Sequence, residues 1–229
     1  MNRKYPHRER TRFVLCTFLV GMLVATVPAS RLLAADSAKE PLYENNFEQA
    51  EPGKLPADVM SLNGDFVVKQ EGSNRFLELP GAPLDAFAVM FGPTERTNVM
   101  ITARIYGTAK GRRYPAFGIG LGGVSGYRLQ VTPAKNELEI YKDQDLETSV
   151  QFKWKPGTWT LLRLRIRTTG DAEWKVEGKV WDAGATEPAD WQIIWNADTE
   201  PRAGRASVWG SPFSGTPIRF DDLVVLRTD

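Results

Sequence analysis

The chain holds almost none of the side chains on which nucleophilic and metal chemistry most often depends. In 229 residues there is one cysteine, Cys16, and one histidine, His7. Both stand close to the N-terminus, so everything beyond them is free of thiol and imidazole. That excludes a Ser-His-Asp triad, a cysteine nucleophile and a histidine-bound zinc centre from the rest of the chain. It also excludes an internal disulfide, leaving the fold to be stabilised by its core alone. No uncharged apolar run approaches the ~20 residues that comfortably span a bilayer. There is no internal repeat, no low-complexity tract and no segment with the apolar period of an amphipathic helix.

The first residues carry Arg3, Lys4, Arg8, Arg10 and Arg12, followed by the charge-free run Phe13 to Val27 and small residues at Ala29, Ser30, Ala34 and Ala35. A charged start, a short apolar run and a small-residue site predict a cleaved secretory signal over residues 1–35, cut after Ala29 or Ala35. A retained N-terminal anchor is the competing reading. Leu15, before Cys16, stands where a lipid-attachment signal wants Gly or Ala, which argues against a lipoprotein. The expected location is secreted or periplasmic, with no membrane span after cleavage. Loss of residues 1–35 removes both Cys16 and His7 and leaves 23 basic against 27 acidic residues, a net charge of −4. Such a chain has no basic excess with which to hold nucleic acid. Residues 36–41 read as a polar tether and 42–229 as one domain, long enough to bury a substantial core.

Within that domain the dominant period is two. The clearest case is Trp159 to Thr168, which sets Leu162, Leu164 and Ile166 on one side and Arg163, Arg165 and Arg167 on the other. That is a strand with one buried and one wet face. Val99 to Tyr106 and Trp174 to Trp181 alternate likewise. Ala116 to Gly122 places Phe117, Ile119 and Leu121 on one side and leaves the other bare with Gly118 and Gly120. Glycines so placed mark close approach of a ligand or of packed neighbours. Some fourteen strands are expected, including Leu42 to Phe47, Val150 to Trp154 and Ile218 to Leu226, with turn signals every eight to twelve residues. This spacing predicts an all-β antiparallel sandwich or barrel.

The order YENNF, GYRLQV, LEIYK, GTWTLLRLRIR, WKVEGKVWDAGATEPADW and PIRFDDLVVL resembles the concanavalin A-like jelly-roll domains of secreted bacterial proteins, over nearly all of the domain. The resemblance implies a two-sheet antiparallel jelly-roll sandwich whose first and last strands pair and whose concave sheet often binds glycans. Relatives of that kind include laminin G-like modules, lectins, family 16 glycoside hydrolases and 3-keto-disaccharide hydrolase domains. Family 16 enzymes set three acids on one strand face as E-x-D-x-E. Here Glu137 and Glu139 are followed by Tyr141, so the triplet is incomplete, and Glu139 is left as a weak acid/base candidate. Lyases on this fold use a His with a Tyr, a route closed by the missing histidine. The resemblance also implies a structural Ca²⁺ held by an Asp of the last strand, for which Asp221 is the candidate.

Arg104, Arg128, Arg163, Arg165, Glu139 and Tyr141 alternate outward and could line a shared face; Trp181, on the same side of its strand as Lys175 and Lys179, is the aromatic platform candidate. Arginine can pair bidentately with a uronate or sulfate. Glutamates at matching outward positions, Glu137, Glu139, Glu173 and Glu177, offer cross-strand pairing as the alternative. The expected function is a non-catalytic carbohydrate-binding or surface-recognition module for a polysaccharide or glycoconjugate. A glycoside-cleaving enzyme of the 3-keto-disaccharide hydrolase type and a structural protein-interaction sandwich stand as alternatives. The sequence carries no signal for oligomeric state.

Overall fold

The apolar rows seen in the sequence become the shared interior of two antiparallel sheets. The computed structural model describes residues 40–228. The expected signal over 1–35 and most of the expected tether over 36–41 lie outside the described residues. Among those residues there is no helix, and so none long and apolar enough to cross a membrane.

One sheet runs in the order β13 (Ile193–Ala197), β12 (Glu173–Asp182), β11 (Trp159–Gly170), β6 (Val99–Tyr106), β15 (Ile218–Arg227), β4 (Asn74–Leu79) and β3 (Val67–Glu71). Its eighth strand, β1 (Tyr43–Asn45), also pairs with β15. The other sheet has seven strands, β10 (Asp145–Gln151), β9 (Glu137–Lys142), β8 (Tyr127–Thr132), β7 (Ala116–Leu121), β14 (Gly204–Ser211), β5 (Phe87–Glu95) and β2 (Met60–Asn63). β15 serves two neighbours along one edge: Ile218 to Phe220 face β4 and Leu223 to Val225 face β1. The break falls at Asp221 and Asp222, where the register against β6 shifts and Asp222 takes a left-handed backbone with φ of 48°. First and last strands therefore pair, as the resemblance implied.

Leu162, Leu164 and Ile166 are wholly buried and share the interior with Ile119, Leu129 and Ile140 of the opposite sheet. In β11, Leu164 stands between Ile101 of β6 and Gly178 of β12. Gly178 is small because a Cβ there would lie 2.5 Å from the Leu129 side chain and 2.7 Å from that of Ile193. Trp154, in the connection from β10 to β11, is also interior. Its indole meets Phe117 edge-on at 5.5 Å and donates to Thr160 Oγ1 at 3.1 Å.

Two elements differ from the sequence pattern. β2 is a fifteenth strand that apolar alternation does not mark, because all four of its residues are exposed at a sheet edge. The strand expected over Val150 to Trp154 lies earlier, at β10. Its polar start is recruited by a tight hairpin with β9, in which Lys142 pairs with Asp145 and Asp143 takes φ of 56°. Beyond Gln151 the chain leaves the ladder and passes into a turn with Pro156, which has no N–H to donate.

Leu164→Ala removes the central side chain of the interior without a neighbour positioned to refill it. It is expected to lower unfolding free energy by about 2–5 kcal/mol, read as a shift of the urea midpoint at unchanged slope.

Candidate functional site

The two outer faces of the sandwich have opposite electrostatic designs. On the eight-stranded sheet, the arginine row of β11 is neutralised. Arg165 Nη2 lies 2.6 Å and Arg167 Nε 3.0 Å from the same oxygen of Glu177, which is directly opposite Arg165 on β12. Arg163 reaches Glu187, in the connection after β12, with Nη1 at 2.7 Å from both carboxylate oxygens, and its Nε donates to Thr102. Lys179 joins Glu187 at 3.2 Å. Aromatic rings cover what remains: Arg165 lies 4.5 Å from the Trp191 ring centre and Arg163 5.6 Å from that of Trp181. Trp181 is itself buried.

Asp221 belongs to this face as well. Its Oδ2 accepts from Arg104 Nη2 at 2.6 Å and Asn74 Nδ2 at 3.0 Å, and its Oδ1 accepts the Asp222 N–H at 2.8 Å. Calcium takes 6–8 oxygen ligands. Here a guanidinium already sits on the carboxylate, which has donors on both oxygens, and no group of three or more metal-ligating side chains occurs among the described residues. The residues do not fit a Ca²⁺ at Asp221; the arginine supplies the countercharge.

The expectation that Arg104, Arg128, Arg163, Arg165, Glu139 and Tyr141 share one face is corrected by the topology. Arg104, Arg163, Arg165 and Trp181 lie on the eight-stranded sheet, whereas Arg128 and Tyr141 lie on the seven-stranded one, behind the common core. Alternation fixes a residue's side of its own sheet, but it does not say which sheet a strand joins.

On the seven-stranded sheet, register brings Ser207, Gly120, Arg128 and Tyr141 into one row across β14, β7, β8 and β9. The next row holds Trp209, Gly118, Gln130 and Glu139. Gly118 admits the backbone of β8, and Gly120 now has a specific occupant. A Cβ on Gly120 would stand 2.5 Å from Ser207 Oγ and 3.1 Å from Trp209 Nε1. The indole thus settles over the glycine, donating to Ser207 Oγ at 2.8 Å. Arg128 lies between two rings, its guanidinium carbon 4.7 Å from the Tyr141 ring centre and 4.9 Å from that of Trp209. Its Nε–H is buried without an acceptor, and burial lowers its pKa. Beside this stack opens a groove of about 470 Å³ lined by Arg128, Trp209, Gln130, Gln144, Leu62 and Val124 among others. Leu62 and Val124 are 38% and 47% exposed, so apolar surface continues to the rim.

Glu139 closes the floor of this face. It is fully buried, and Oε2 accepts from Tyr141 at 3.0 Å, Gln130 at 3.3 Å and the Thr132 hydroxyl, while Oε1 pairs with Lys135 at 2.7 Å. Burial pushes its carboxyl up, but these donors outweigh burial and hold it below the ordinary 4.5. A carboxylate kept ionised and surrounded by donors is poorly suited to give up a proton; it orients Tyr141 and Gln130 instead. Trp209 was not among the sequence candidates. The signal was present, since Ala206 and Val208 alternate inward and leave Trp209 outward, but only the strand order places it across the glycines.

No protein-family model matches the chain, and no curated protein matches it in sequence. Solved structures do match in shape. A Bacillus subtilis protein of unknown function with a galectin-like fold aligns at a TM-score of 0.57 and 10% identity, covering 82% of this chain and 97% of that one. The metal-free carbohydrate recognition domain of Emp46p aligns at 0.54 and 12% identity, covering 83% and 99%. The carbohydrate-binding module CBM66 of Bacillus subtilis aligns at 0.50 and 10% identity, covering 73% and 94%. The fold is a concanavalin A-like jelly roll. At these identities the likeness speaks for architecture alone.

Burial pushes the Glu177 carboxyl up too, and hydrogen bonds from Arg167 and Arg165 bring it below its ordinary value. A carboxyl whose folded pKa lies below its unfolded one adds stability above the unfolded value and loses it as pH falls through the folded one. Asp221 runs the other way, because burial raises its pKa and protonation there favours the folded state. Glu139→Gln is therefore expected to be less stable than the parent at neutral pH, by about 1–3 kcal/mol. The gap should narrow as pH drops below the ordinary 4.5 of a glutamate, followed by urea unfolding across the acid range. A gap that stays constant through that range would show that the Glu139 charge is not what stabilises.

Proposed function

We propose that this protein is an exported, non-catalytic carbohydrate-binding module whose ligand lies along the groove on the outer face of the seven-stranded sheet. The observation that carries this is the Tyr141–Arg128–Trp209 stack over Gly120, open to the groove beside it. Pyranose rings present C–H edges that pack on aromatic faces, and sugar sites pair such a platform with a few fixed polar groups. Trp209, which lines the groove, is the platform; Gln130 and Gln144 supply amides, and Arg128 a fork of donors. Two of the structures of similar shape are named as carbohydrate-binding domains, which agrees with this use of the fold. The charged-then-apolar start of the sequence supports export.

A hydrolytic reading has less support. Retaining and inverting glycosidases need two carboxyl groups flanking the scissile bond, one of them able to donate a proton. Among the groove-lining residues there is no carboxylate, and Glu139 lies beneath its donors. The opposite face, with its arginines paired and its Trp181 covered, supports a structural role for the eight-stranded sheet.

Polysaccharide-array binding tests the proposal. Retention of one or more glycans is expected, weakened about tenfold, or ~1.4 kcal/mol, in Trp209→Ala. The melting temperature of that variant should stay close to the parent's, because the indole lies on the outer face. Silence across the array, or retention unaffected by Trp209→Ala, counts against the groove.

A further inference from the structure

We propose that the ligand of this groove is an anionic glycan, a sugar chain bearing carboxylate or sulfate groups, and that Arg128 is the residue that recognises its charge. This rests on the carbohydrate-binding proposal above and specifies the class of sugar.

Arg104, Arg163, Arg165, Arg167 and Arg219 each reach a carboxylate on the other face. Arg128 does not: among the described residues no ion pair neutralises it and its Nε–H finds no acceptor. The carboxylate nearest in register, Glu139, stands one row away, and Lys135 has already taken it. Of the described residues lining the groove, Arg128 is the single charged one. A guanidinium stripped of part of its water, with a donor left empty, is a costly arrangement unless something returns the lost hydrogen bonds.

The rings on either side account for how the cost is tolerated without a ligand. Aromatic faces stabilise a cation by about 0.5–2 kcal/mol each. They do so without occupying the in-plane N–H groups, and so preserve the fork for an acceptor arriving from the groove. A neutral hydroxyl could take one of these donors. A carboxylate or sulfate can take two, with charge-assisted bonds roughly twice as strong as neutral ones. Gln144 adds a neutral donor at the same groove, and no acidic lining residue opposes an anion there. The site is thus a local positive spot on a domain whose net charge is negative, which favours charge recognition at one place over general adhesion to polyanions.

Calorimetric titration of the purified protein at low ionic strength distinguishes the possibilities, using oligogalacturonate, its methyl ester, dextran sulfate and unmodified dextran. The acidic member of at least one pair is expected to bind about tenfold tighter or more than its neutral counterpart, with the preference reduced by added salt. Preference within the first pair identifies a uronate; preference within the second identifies a sulfate. Arg128→Gln should abolish the preference, Arg128→Lys should retain part of it because the charge survives without the fork, and Arg163→Ala should leave it intact. Equal binding of acidic and neutral members, lost in Trp209→Ala, overturns the charge recognition and leaves the carbohydrate site standing. An acid preference that persists in Arg128→Gln overturns the role of Arg128. No binding by any of the four overturns both.

Discussion

One apolar layer shared by two sheets sets the terms for everything else in this molecule. With Leu162, Leu164 and Ile166 meeting Ile119, Leu129 and Ile140 across the interior, every strand has one side committed to the core. Its alternate side chains are thereby committed to an outer face. Charges cannot be distributed freely under that rule. They are forced into rows, and a row of like charges on adjacent positions is tolerable only if neighbouring strands or loops supply the opposite sign. The eight-stranded sheet meets this requirement for the arginine row of β11. Glu177 serves two arginines at once, and Glu187, arriving from a connection and not from a strand, serves Arg163 together with Lys179.

The seven-stranded sheet meets the same requirement differently. Its outer face has few charges, and the one buried carboxylate, Glu139, is satisfied by a lysine four residues back along the chain and by three uncharged donors. Glycine makes this arrangement possible. Without a side chain at 120 the Trp209 indole lies down over β7, while Gly118 admits the backbone of β8, and both positions exist only because β14 and β8 flank β7. The glycines are therefore both packing positions and groove makers. The choice between close packing and ligand approach, posed by the sequence at this strand, is not a choice in the folded protein: packed side chains form one wall of the open space.

Much of this was legible in the residue order. The period of two identified the strands, their inward rows and the sandwich, because burial on one face imposes a pattern that no other element shares. The alternation in Val99 to Tyr106 matches the observed burial residue for residue. What alternation does not encode is the strand order within a sheet or the sheet to which a strand belongs. That is why Arg104, Arg163 and Arg165 could be grouped with Arg128 in sequence and yet lie behind it in space. β2 was invisible for a related reason: an exposed edge strand has no buried row, and its position comes from backbone pairing with β5 alone. Asp221 shows a third limit. An acid beside a turn reads equally as a cation ligand or as an ion-pair partner until the identity of its cross-strand neighbour is known, and that neighbour is Arg104.

The contrast between faces gives the structure its functional asymmetry. An arginine paired across strands has already exchanged water for a carboxylate, so a ligand seeking it must first break that pair and leave a half-buried charge behind. An arginine held between aromatic rings has given up part of its water without gaining an acceptor, so a ligand meets a group already partly desolvated on folding. Recognition at such a site begins from a more favourable starting point than at any of the paired arginines, although they outnumber it. The position of a charge in the strand order, more than the number of charges on a face, decides which side of this sandwich can select a ligand.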